Sequence, residues 1–120
     1  MKIKIQASTL LEALNKVLTV VDKKTTRPSL SHCHLKAADN KLTLLATDLE
    51  VSSKVILDTI VEIPGAICVN AKNLFDILRE MPDQEILLEK ENESNILKIN
   101  CLDIHFSLLV FDTNDFPQIN

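Results

Sequence analysis

Only one glycine, Gly65, occurs in the chain. Phosphate loops of the P-loop and dinucleotide types need several glycines, because the backbone must approach the phosphate closely. Nucleotide hydrolysis by those routes is excluded. Tryptophan and tyrosine are absent and the aromatics are four phenylalanines, so the core is aliphatic and base stacking has little to work with. The three cysteines, Cys33, Cys68 and Cys101, are widely spaced, odd in number and set in apolar stretches. That pattern fits buried thiols in a reducing compartment, not a disulfide framework. No apolar run approaches the ~20 residues of a membrane span, and the opening MKIKIQ lacks the apolar core of a signal peptide. The expectation is a soluble, cytoplasmic protein. An excess of positive charge is missing too. With a net charge of −4, any contact with nucleic acid must come from a local basic face on an acidic body.

What the chain does have is a repeat. Residues 3–17, IKIQASTLLEALNKV, align without a gap on residues 67–81, ICVNAKNLFDILREM. Ile3 falls on Ile67, Ile5 on Val69, Ala7 on Ala71, Leu10 on Leu74, Leu14 on Leu78 and Val17 on Met81. A looser echo sets residues 42–55 over residues 97–110, with Leu44 on Ile99, Asp48 on Asp103, Val51 on Phe106 and Val55 on Val110. Repeats of this length mark a supersecondary unit that buries its apolar face against its copy. Chance similarity between two amphipathic helix-strand units is the alternative.

Local patterning fills in the unit. Lys2–Gln6 alternates with the period of a half-buried strand. Ser8 or Thr9, followed by Glu12, reads as a helix cap before the apolar stripe Leu10, Leu11, Leu14, Val17 and Leu18. The run from Asp22 to Pro28 breaks the pattern as an exposed basic loop. Strands are expected at 31–37, 41–47 and 49–56, with Asp39-Asn40 as a turn, and 58–65 leads into the second half. There, a strand at 66–70 precedes a helix capped by Asn73 and running to about Glu80, then strands at 85–89, 96–101 and 104–111. The order is β-α-β-β-β twice. The expected fold is α+β: one domain over residues 1–120, with halves at about 1–60 and 61–120. Both helices pack on one side of antiparallel sheet.

Three groups of residues invite a function. His32, Cys33 and His34 alternate on a strand, so the two histidines point one way and the cysteine the other. No CxxC or carboxylate partner completes a metal site, and the expected arrangement is a solvent-side histidine pair flanking a core cysteine. The basic residues Lys16, Lys23, Lys24, Arg27, Lys72 and Arg79 lie on the two helices or in the loop after the first. They form one surface if the helices pack side by side, though Glu12, Asp76 and Glu80 dilute its field. Phe106, Leu108 and Ile77 are apolar residues placed to serve either as core or as a subunit contact along an edge strand. Asp48 reads as a turn residue, and His105 faces out opposite Phe106.

The motifs MKIKIQASTLLEAL, RPSL, LLATDLE, NAKNLFDILREMP and NDFPQ stand in one order along the whole chain. In that order the sequence resembles the N-terminal domain of the bacterial DNA polymerase III beta subunit, the sliding-clamp family. The resemblance implies a ring of two chains and six like domains around double-stranded DNA, with helices lining the hole and sheets outside. It implies a processivity factor in DNA replication that tethers the polymerase and is not an enzyme, with no cofactor. Arg27 matches a DNA-contacting loop arginine, and Lys72 a basic residue facing the hole. Phe106, Leu108 and Ile77 match the seam of the homodimer. Polymerase and clamp loader bind later domains of that family, so these residues read as the first third of a longer chain. Three features differ from the family pattern: Ser31-His32-Cys33 follows RPSL's leucine, the loop before Arg27 is longer and richer in lysine, and His105 is the nearest candidate for a seam cation. A pseudo-symmetric protein-interaction or ligand-binding domain without nucleic acid is the competing reading, and an enzyme built on His32, Cys33 and His34 a third. Cations collected on one helical face separate the first from the second.

Overall fold

The computed structural model describes residues 1–18, 32–47, 52–91 and 93–111. Along these the order is β1 (Lys2–Gln6), α1 (Ala7–Val17), β2 (His32–Ala38), β3 (Lys41–Thr47), β4 (Ser52–Asp58), β5 (Ile60–Ile63), β6 (Gly65–Asn70), α2 (Ala71–Arg79), β7 (Glu85–Glu89), β8 (Ile96–Cys101) and β9 (Ile104–Leu109). The strands form two antiparallel sheets, ordered β5-β1-β7-β8-β9 and β4-β3-β2-β6. The helices pack on each other and against one aliphatic core.

The first strand of each half sits in the sheet of the other. Ile3 and Ile5 of β1 pair with Leu88 and Ile86 of β7, just as Ile67 and Val69 of β6 pair with Leu35 and Cys33 of β2. The inner faces of these strands are aliphatic, with Ile3, Leu35, Leu44, Leu88 and Ile99 fully buried. Burying a side chain of this size contributes about 1.5–3 kcal/mol, so the exchange ties both halves into one core.

Register corrects part of the looser echo. Leu35, Leu44 and Val55 form one cross-strand row, and Leu88, Ile99 and Phe106 the corresponding one. The place of Val55 is therefore held by Phe106 and not by Val110. The first hairpin is longer beyond this row, by one cross-strand pair, Thr47 with Ser52, and by a longer connection. Cys101 pairs with Ile104 across the two residues Leu102 and Asp103, whereas residues 48–51 join β3 to β4. Asp48 and Val51 lie outside the described residues.

Four local expectations change. The 58–65 link contains β5, which pairs with β1 and is held at its start when Thr59 N–H donates to Asn40 O (3.1 Å). Phe111 does not extend β9; it bridges Cys68 on β6. Helix α1 starts at Ala7, and neither Ser8 nor Thr9 caps it. Its first turn is instead held from the other half: Gln6 Nε2 and Ser8 N–H donate to Asp83 Oδ1 (2.8 and 3.2 Å), and Ala7 N–H to Gln84 O (2.9 Å). Helix α2 is capped by Asn70, not Asn73; the Asn70 side chain accepts from Asn73 N–H (2.9 Å).

Candidate nucleic-acid interface

Helical periodicity gives α1 and α2 one buried stripe each, Leu10, Leu14 and Val17 on α1 and Leu74 and Leu78 on α2. The residues left outside are Ser8, Thr9, Glu12, Asn15 and Lys16 on α1, and Lys72, Asn73, Asp76, Arg79 and Glu80 on α2. Because the helices lie against each other, these residues share a surface facing away from the core. Three cations and three carboxylates make it close to neutral.

Each cation there has an anionic neighbour. Lys16 Nζ lies 3.8 Å from Glu12 Oε1. Asp76 stands between Lys72 (3.7 Å) and Arg79 (3.9 Å). The Arg79 guanidinium also sits 5.8 Å from the centre of the Phe75 ring, an arrangement worth about 0.5 kcal/mol at an exposed site. Exposed pairs at this spacing contribute only about 0.2–0.5 kcal/mol. Lys16, Lys72 and Arg79 can therefore leave their carboxylates for a phosphate at small cost. Lys23, Lys24 and Arg27 lie outside the described residues.

Phe106 and Leu108 lie on the inward face of β9, opposite Ile99 and Leu97. Ile99 and Leu97 are fully buried, while Phe106 and Leu108 are half-buried, because β9 is the outermost strand of its sheet. Ile77 on α2 is half-buried as well, and all three pack on the core. An outermost strand leaves half its backbone donors and acceptors facing outward, free to pair with a further strand. His105 points to the opposite face, its Nδ1 2.7 Å from Asn100 Oδ1.

The histidine–cysteine segment is arranged differently from the solvent-side pair expected. His32 is buried, with its ring edge-on to Phe111 at 4.6 Å. His34 is half-buried opposite Cys68, and burial, then Lys36, hold its pKa below the usual 6.5. Cys33 faces the core, where burial pushes its thiol up to about 12. A thiolate nucleophile is thus not populated at neutral pH, and Cys33 and His34 lie on opposite faces of β2. Among the described residues no group of three His, Cys, Asp or Glu side chains is placed to hold a metal ion. Nor is any described helix long and apolar enough to cross a membrane.

Sequence reasoning missed Asp83, whose role depends on β1 and β7 being neighbours. Hydrogen bonds from Gln6 and then Ser8 hold its carboxyl below the ordinary 3.8.

The comparisons with known proteins agree with this architecture. A family model described as DNA polymerase III beta subunit, N-terminal domain, matches residues 1–120. The beta sliding clamp of Vibrio harveyi is 36% identical over 121 residues, covering 99% of this chain and 82% of that protein. That of Caulobacter vibrioides is 34% identical over 124 residues, covering 100% of this chain and 32% of that protein. This chain thus spans about a third of the length of several curated relatives it matches. The crystal structure of the DNA polymerase sliding clamp from Caulobacter crescentus superposes with a TM-score of 0.93 at 32% identity, covering all of this chain and 33% of that one. The Helicobacter pylori beta clamp bound to a DNA ligase peptide gives 0.93 at 30% identity, with 100% and 33% coverage. With its whole length matched and its fold shared, this chain belongs to the DNA polymerase III beta subunit family, in the part that forms the N-terminal domain.

Proposed function

We propose that the chain acts as the first domain of a ring-shaped, non-catalytic sliding clamp that encircles double-stranded DNA in the cytoplasm and tethers a replicative polymerase. Residues 1–120 form one domain of two halves, about 1–60 and 61–120. Lys16, Lys72 and Arg79 on the helices, with Lys23, Lys24 and Arg27 that follow α1 in the sequence, meet the duplex backbone. Phe106, Leu108 and Ile77 form the seam with a second clamp chain. Polymerase and clamp loader bind later domains.

The observation that carries this reading is the character of the helical surface: exposed cations, each already weakly held by a carboxylate. Phosphate contacts carry no sequence information and weaken steeply with salt. A surface of this kind holds a duplex loosely and lets it slide, where a dense basic patch would grip it.

The test uses the full-length parent. Lys72→Glu combined with Arg79→Glu should weaken duplex binding at low salt. It should also flatten the salt dependence by about one unit of slope for each phosphate no longer neutralised. Arg27→Ala should weaken binding without altering the fold. Lys98→Glu, on the outer face of β8, should do neither. Equal duplex affinity and equal retention on circular DNA for the helix variants would overturn the reading.

A further inference from the structure

The outer faces of the two sheets occupy matching positions and carry different chemistry. On the sheet containing β1, Lys2 and Lys4 are neutralised by Glu62 (3.5 and 3.3 Å), and Lys2 also approaches Glu89 (3.9 Å). Lys4, with Lys2 behind it, holds the Glu62 carboxyl below its ordinary range.

The outer face of the β4-β3-β2-β6 sheet has no such balance. Lys36, Thr43 and Ile56 form one cross-strand row, and His34, Leu45 and Lys54 the next. Lys41 follows opposite Asp58, which is the one carboxylate on the described strand positions of this face. Lys36, Lys41 and Lys54 are exposed, and none of them takes part in an ion pair of the described residues. Ile56, at the β4 end of the Lys36 row and two residues from Lys54, is 55% exposed.

The other half serves as an internal control. Matching the cross-strand rows sets Glu89 where Lys36 stands, His105 where Lys54 stands and Ser107 where Ile56 stands, while Lys98, opposite Glu89, takes the place of Thr43. The fold therefore does not require lysine or isoleucine at these places. A locally positive face on a protein of net charge −4 attracts acidic groups, and Ile56 adds an aliphatic contact within it.

We propose that this face docks an acidic segment of a partner protein, with glutamate or aspartate side chains against Lys36, Lys41 and Lys54 and one apolar side chain against Ile56 and Leu45. A polyanion such as single-stranded nucleic acid would use the lysines but leave Ile56 bare. The six-residue block has no Phe, Tyr or Trp for a base to stack on, and its one ring, His34, is half-buried. The site lies on the sheet side of the molecule, away from the helices, and does not rest on duplex binding.

The test titrates the isotopically labelled chain with a peptide of alternating glutamate and leucine at low salt, followed by amide shift changes and by anisotropy of the fluorescein-labelled peptide. Saturable shifts centred on Lys36, Thr43, Leu45, Lys54 and Ile56 are expected. Lys36→Glu with Lys54→Glu should weaken the peptide about tenfold or more, and Ile56→Ser about fivefold. Lys98→Glu should leave affinity unchanged, and circular dichroism checks that each exposed-site variant stays folded. Three results would overturn the proposal: shifts centred on α1 and α2, indifference to Ile56→Ser, or equally tight binding of this face by an oligothymidylate or a phosphatidylserine vesicle. Wild-type shift mapping depends on no variant, so a misfolded mutant cannot leave the question open.

Discussion

A β-carbon built on Gly65 would stand 2.9 Å from Met1 Cβ and 3.3 Å from Met1 Cα. Met1 cannot retreat, because its ammonium donates to Lys90 O and Lys90 N–H donates back to Met1 O, each at 2.8 Å. Here the chain's only glycine is required by close approach between β6 and the start of β1. Gly65→Ala is expected to lower stability by about 1–3 kcal/mol, read as a fall in urea midpoint with unchanged slope. An unchanged midpoint would mean that the β1 end yields freely.

Asp83 acts as the missing cap of α1. Asp83→Ala should lower the melting temperature near neutral pH, since Gln6 and Ser8 are left without their acceptor. The carboxyl titrates below 3.8 in the folded chain, so its stabilisation is complete above that value and disappears as pH falls through the depressed one. The variant's melting curve should therefore approach that of the parent in strong acid. A gap between them that is constant from neutral pH to strong acid would refute the cap.

His34 works in the opposite sense. Its folded pKa lies below 6.5, so the unfolded chain takes up the proton first, and stability declines as pH drops through 6.5. Substituting His34→Gln should flatten that part of the stability–pH curve. The Lys36→Gln change should raise the His34 titration midpoint seen by NMR, because it removes a neighbouring positive charge. A midpoint unmoved by that change would deny the coupling.

Leu102 has a φ of 52° and is 71% exposed in the β8–β9 turn. A side chain in left-handed backbone costs roughly 1–2 kcal/mol, offset in part by the extra unfolded-state freedom of glycine. Leu102→Gly should therefore stabilise the chain by about 0.5–1 kcal/mol. Destabilisation on thermal melting would show that Leu102 makes a contact worth more than the strain.

The seam assignment is separable from ordinary packing by comparing Phe106 with Val55, which holds the matching place on β4. Both side chains are half-buried against the core, so either alanine substitution should reduce fold stability. In the full-length parent, Phe106→Ala should also weaken dimerisation by about 1–3 kcal/mol, whereas Val55→Ala should not. Sedimentation of an intact Phe106→Ala dimer at dilute concentration would remove Phe106 from the seam.

Local periodicity made several elements legible to the residue. Lys41–Thr47, Glu85–Glu89 and Ile96–Cys101 coincide with the observed strands, because alternation depends only on which side of one strand is buried. The helices were legible for the same reason, and so were the exposed positions of Lys16, Lys72 and Arg79. Their starts were not. Asp83 holds the first turn of α1 from far along the chain, and Asn70 caps α2 ahead of the residue expected. No short-range pattern contains the first of these contacts.

Composition and periodicity reside in neighbouring residues, and they suffice to specify an aliphatic, glycine-poor α+β chain with family motifs in order. Tertiary packing was needed for the rest. It carries the first strand of each half into the other's sheet, lays β5 along β1, and makes Phe106 rather than Val110 the match for Val55. It also gathers Lys36, Lys54 and Ile56 onto one outer sheet face. Those outcomes depend on hydrogen-bond register between strands distant in sequence. Register is chosen by the shared core, in which neither half can bury its apolar side without the other.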